Sequence, residues 1–196
     1  MYAVVALFDE KSEAKIEQLS QKLASKRLPI HAQHVKGIRP HVTLATYHKL
    51  PLHRIPIYIQ TFCQMTRPLP ILFSALSSFP PGGTLFLAPT VTIELLNMHT
   101  SYHSVCRSFA DIEHSLYNPQ NWVPHCTLAN NLTQRELKDA FAYCSEQFSP
   151  IEVTITSIGL VHTTFENGKC VRYQPVIELP LQADSYVYTE KVDART

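Results

Sequence analysis

Pro40-His41-Val42-Thr43-Leu44-Ala45 returns as Pro124-His125-Cys126-Thr127-Leu128-Ala129, five of six residues identical and 84 positions away. A self-match of this kind constrains the fold before any propensity does, because it points to two units built alike. Each copy falls on an expected strand and is followed by an expected helix. The halves, about residues 1–83 and 84–182, then read as a duplication with a pseudo-twofold axis, and the repeated polar residues face each other across a shared cleft. Along a strand, residues two apart share a face. His41, Thr43 and Ala45 are therefore expected on one face, with Val42 and Leu44 in the core. His125, Thr127 and Ala129 follow the same pattern, opposite Cys126 and Leu128.

The surrounding segments fit an α+β class. Strands are expected at Tyr2–Phe8, Ile38–Tyr47, Leu69–Phe79, Thr84–Ala88, Trp122–Ala129, Ile151–Phe165 and Lys169–Leu179. Helices are expected at Ser12–Lys26, 52–66, Thr92–Ala110 and Thr133–Phe148. Ile16, Leu19 and Leu23 recur at helical spacing, Ser12 is a candidate N-cap, and Pro29 closes that helix,. Pro56 counts against the second helix. Thr133 and Glu136 form a capping box. Pro80-Pro81-Gly82-Gly83 is the strongest turn signal, and Asn167-Gly168 suits a hairpin,. Hairpins imply antiparallel pairing, which separates this chain from the parallel α/β class. The expected arrangement is one bilobal domain over 1–182, with two antiparallel sheets lining a central cleft, helices outside, and a polar tail at 183–196.

Two imidazoles facing one cavity suit acid–base chemistry at neutral pH, since one can be neutral while the other is charged. A phosphodiester is a natural target. One histidine activates water or a hydroxyl, the other protonates the leaving oxygen, and the threonine hydroxyls hold the non-bridging oxygens.

The motifs His41-Val42-Thr43-Leu44 and His125-Cys126-Thr127-Leu128 resemble the signature of the 2H phosphoesterase superfamily, one histidine-x-threonine motif per lobe. The likeness extends over about residues 2–182 and is strongest to the 2'-5' RNA ligase and cyclic phosphodiesterase branch. It implies that His41 and His125 are the acid–base pair and that Thr43 and Thr127 bind phosphate. It further implies a metal-independent reaction, with no cofactor, on 2',3'-cyclic, 1'',2''-cyclic or 2'-5' phosphodiesters of nucleotides or RNA ends. Asn130 stands where some ligase-branch members carry an arginine or aromatic residue near the nucleotide, and Tyr47 is a candidate for stacking on a base. His162-Thr163-Thr164, a third motif without the preceding proline, reads as an ordinary strand segment.

The 17 basic and 16 acidic residues leave a formal charge of +1, which excludes a broad basic grip on long nucleic acid or a polybasic membrane anchor,. Lys36, Arg39, Lys169 and Arg172 could form at most a small local phosphate patch. Five cysteines without a CxxC pair read as free thiols in a reducing, cytoplasmic setting,. Of ten histidines, His99 and His103 lie one helical turn apart, and His31 and His34 lie three apart. No glutamate follows His99 in the zinc-protease manner, so they read as solvated and no metal is expected. Neither a GxSxG elbow nor a phosphate-cradling glycine loop occurs,. A monomeric phosphodiesterase is the leading expectation. A 2'-5' RNA ligase or a noncatalytic nucleotide sensor could use the same cleft.

Overall fold

The first strand, β1 (Tyr2–Phe8), is apolar at nearly every position because both of its faces are covered. Val4, Ala6 and Phe8 enter the main core, while Ala3, Val5 and Leu7 join a smaller cluster with Val35, Val161 and Tyr173 on the opposite face. A central strand buried on both sides has no alternation to display. The computed structural model describes residues 1–25, 35, 37–109, 115–166 and 169–182. Pro29, His31, His34, Lys36, Ala110, the Asn167-Gly168 turn and the 183–196 tail lie outside the described residues.

Four α-helices are described: α1 (Glu10–Ser25), α2 (Ile55–Met65), α3 (Ile93–Val105) and α4 (Gln134–Gln147). The remaining strands are β2 (His41–Tyr47), β3 (Leu69–Phe79), β4 (Thr84–Pro89), β5 (Cys126–Ala129), β6 (Ile151–Glu166) and β7 (Lys169–Pro180). Asp9, rather than Ser12, caps α1: its carboxylate accepts from the Ser12 backbone N–H at 3.0 Å,. Pro56 sits in the first turn of α2, where no intrahelical donor is lost,. Thr92 caps α3, and the Thr133–Glu136 capping box opens α4. No described helix is long and apolar enough to cross a membrane.

All seven described strands join one antiparallel sheet in the order β2-β1-β6-β3-β4-β5, with β7 also on β6. The expected two sheets are thus one continuous sheet. The physical reason is β6, whose 16 residues exceed an ordinary strand,. Its first part, Ile151–Ile155, pairs with β3, and its later part lies between β1 and β7. Exchanging β1, β2 and β3 for β4, β5 and β6 gives the same order read from the other end. Helices α1 to α4 cover one face through Ile16, Leu19, Leu23, Ile59, Phe62, Leu95, Tyr102, Leu137 and Cys144. The other face carries the smaller cluster around Val35 and Tyr173 and, beside it, the cleft.

The turn between β3 and β4 is a 3-10 segment, Pro80–Gly82, ending at Gly83 with φ +56°. A Cβ there would stand 2.0 Å from the Leu132 carbonyl oxygen, so glycine is required both by conformation and by contact,. The Leu132 N–H donates to the Gly83 carbonyl at 3.0 Å, tying this turn to the chain just after β5.

Candidate active site

β2 and β5 are the end strands of the sheet, yet His41, Thr43, His125 and Thr127 line one cleft of about 540 Å³. The sheet therefore curls until its ends face each other. That volume suits a nucleotide-sized ligand.

Each strand carries the same irregularity. In β2, Thr43 pairs with Val5 and Ala45 with Val4, leaving Leu44 as an extra residue. In β5, Thr127 pairs with Phe86 and Ala129 with Leu85, leaving Leu128 extra. These are β-bulges, and each reverses the alternation beyond it. Leu44 and Ala45 both enter the core, as do Leu128 and Ala129, and the alanine is small enough to follow a leucine on one face. Ala45 and Ala129 therefore do not share the cleft face expected from simple alternation. Thr46 and Asn130 do, at corresponding positions. Tyr47 is also turned inward: it is 4% exposed, and its hydroxyl bonds that of Tyr102 at 2.9 Å. It lies in the core rather than in the cleft, and the reversal after Leu44 is the cause.

The two histidines are held alike. Nδ1 of His41 meets the Arg39 carbonyl oxygen at 2.7 Å, and Nδ1 of His125 meets the Val123 carbonyl oxygen at 2.7 Å. A carbonyl can only accept, so Nδ1 carries the proton in both rings and Nε2 is the nitrogen that gains or loses one. Their surroundings differ. His125 sits edge-on to Phe79 at 5.2 Å and beside Phe86 at 5.1 Å, measured between ring centroids. Burial lowers its pKa below the ordinary imidazole value, against the opposing effect of the Val123 carbonyl,. His41 lies 5.9 Å from the Tyr173 ring.

Arg39 turns away from the cleft. Its guanidinium bonds Glu13 at 2.8 Å and Glu178 at 2.7 Å, and Glu178 also accepts from Ser157 at 2.7 Å. It anchors the start of β2 and is not available as a local phosphate ligand. Lys36 lies outside the described residues, and the Lys169 side chain is not described.

The profile of the 2'-5' RNA ligase superfamily matches residues 8–165. The chain belongs to the 2'-5' RNA ligase superfamily. Among solved structures it is similar to LigT of E. coli complexed with 3'-AMP, with 12% identity, 93% of this chain and 98% of that chain covered, and a TM-score of 0.62. It is likewise similar to TT0787 of Thermus thermophilus, with 15% identity, 94% and 99% coverage, and a TM-score of 0.65. LigT has also been solved with NADP+, at 13% identity, 93% and 97% coverage and a TM-score of 0.59. At such identities the likeness is one of fold. No curated protein matches the chain by sequence.

Within this 2H phosphoesterase fold, several cleft residues escape sequence reasoning. Thr46 depends on a bulge, and Phe79, Tyr117, Phe165 and Tyr173 come from separate elements with no shared motif. The Tyr117 and Thr43 side chains hydrogen-bond to each other. In the third motif, Thr163 lines the cleft while His162 packs against Tyr2 at 4.8 Å. His99 and His103 are not solvated: His99 is 1% exposed, and Nε2 of each donates to the Leu44 carbonyl, at 3.0 and 3.1 Å. All five cysteines are free; four are buried, and Cys170 is half-buried at the cleft wall.

Proposed function

We propose that the protein is a metal-independent phosphodiesterase that hydrolyses cyclic or 2'-5' phosphodiesters of nucleotides or RNA ends. The observation that carries this is the matched pair His41 and His125, each with Nδ1 on a backbone carbonyl two residues back and a threonine two residues on, lining one cleft.

His125 acts as base, because its apolar walls keep it neutral near pH 7,. Its Nε2 takes a proton from water as the water oxygen bonds to phosphorus. The bond from phosphorus to the ribose oxygen breaks, and protonated His41 gives its Nε2 proton to that oxygen. The product is a phosphomonoester, and proton exchange with solvent resets both rings. Thr43 and Thr127 donate to the non-bridging oxygens, where charge builds. The aromatic side chains of the cleft offer faces for a base,.

The test is a panel of 2',3'-cyclic nucleotides, ADP-ribose 1'',2''-cyclic phosphate and 2'-5' dinucleotides, incubated in EDTA and followed by phosphorus NMR. Conversion of at least one diester to a monoester is expected. Tight binding of a mononucleotide with no conversion of any member would replace this reading with the sensor.

A further inference from the structure

We propose that Trp122, braced by His99, is a positioning residue that sets the spacing between the two histidine motifs. The inference rests on the reading of His41 and His125 as the reacting pair, and it concerns what holds them at a working distance.

The sheet itself does not fix that distance. β2 and β5 end the strand order, and among the described residues no ladder joins them. Curling brings them together, but a seven-stranded sheet can open or close by small changes of twist at each pair. Val42, Leu44, Cys126 and Leu128 share the core beneath the two motifs, and a direct tie between the end strands would limit such opening further.

Trp122 supplies it. Its indole N–H donates to the Thr43 carbonyl at 2.9 Å, between the two polar residues of the first motif and the bulge. Trp122 is also the residue before Val123, whose carbonyl orients His125. One side chain thus couples the backbone of the first motif to the backbone that aims the second histidine. The Cys126 sulfur also accepts from the His41 backbone N–H across the gap, but a thiol sulfur is a weak acceptor.

The indole is held flat. His99 stacks on it at 3.8 Å between ring centroids, with 4° between the planes. The other end of that histidine is fixed too, since Nε2 donates to the Leu44 carbonyl, the residue the bulge leaves outside the β1 ladder. His103 donates to the same oxygen. α3 therefore grips β2 at its bulge and clamps the tryptophan that reaches back to Thr43. This gives a use to the His99–His103 pair, which the proposed chemistry does not employ.

The test compares kcat and KM for a 2',3'-cyclic nucleotide in the full chain, with His41→Ala as control. Trp122→Phe keeps a ring over His99 but cannot donate to Thr43. It is expected to lower kcat about ten- to a hundredfold, the size of loss that a small misplacement of reacting groups produces, with KM changed by less than about threefold. His99→Leu is expected to lose comparably, and His99→Gln, whose amide N–H can still reach the Leu44 carbonyl, to recover most of kcat. A wild-type kcat in Trp122→Phe, or a change in KM alone, would overturn the brace. If Trp122→Phe does not fold, equal kcat in His99→Leu and His99→Gln would do so. A dead His41→Ala beside a normal Trp122→Phe removes only the brace. A fully active His41→Ala removes the active-site reading as well.

Discussion

Nδ1 of His41 donates to the Arg39 carbonyl 2.7 Å away, and the same bond recurs between His125 and Val123 in the other motif. Two rings on opposite ends of the sheet are thus locked in one tautomer. Nitrogen-15 NMR of the histidines at pH 8 is expected to show Nδ1 protonated and Nε2 bare in both. An Nε2-protonated tautomer in either ring would contradict the assigned roles.

The pH dependence of kcat/KM follows from the walls around His125. Its pKa lies below the ordinary imidazole value because burial disfavours the charged ring,. A base must be neutral to work, so on the acid side activity falls as pH drops through that lowered pKa. The acid limb is expected below about 6.5, the ordinary value for histidine. Phe79→Gln brings a polar group beside the ring and should move this limb toward higher pH. A limb that stays in place would remove Phe79 as the cause.

His99 links stability to pH. Burial pushes its pKa down to about 4, helped by His103 and opposed by backbone hydrogen bonds at Leu44 and Tyr117. The unfolded ring takes up a proton near 6.5, whereas the folded ring resists until about 4, so the unfolded state binds more protons between these values,. Stability contributed at neutral pH is lost as pH falls across that window, by about 3 kcal/mol at most. Urea unfolding of His99→Gln, compared with wild type from pH 7 to pH 4.5, should show a shallower decline. Parallel declines would contradict a buried neutral His99.

The sequence made the α+β class, most element positions and the two motifs legible because each rests on local signals. The duplicated hexapeptide, the capping box at Thr133 and the turn at Pro80–Gly83 all act within a few residues. The single sheet was not legible, because its continuity depends on β6 pairing at different points along its length with β3, β1 and β7. Nor was the inward turn of Tyr47. Strict alternation sends odd-numbered residues of β2 to the cleft, and only the pairing with β1 exposes the extra residue at Leu44. His99 and His103 looked solvated because helical spacing says nothing about a bulged carbonyl waiting on a distant strand.

The proposed reaction makes His41 and His125 one acid–base unit. It is tested most directly by the turnover of a 2',3'-cyclic nucleotide in EDTA by wild type, His41→Ala, His125→Ala and the double variant. Each single substitution is expected to lower kcat about 10²- to 10⁴-fold, the usual contribution of a positioned acid or base. The double variant is expected to be little worse than either single, as for residues that work together. Wild-type turnover in either single variant would contradict the account.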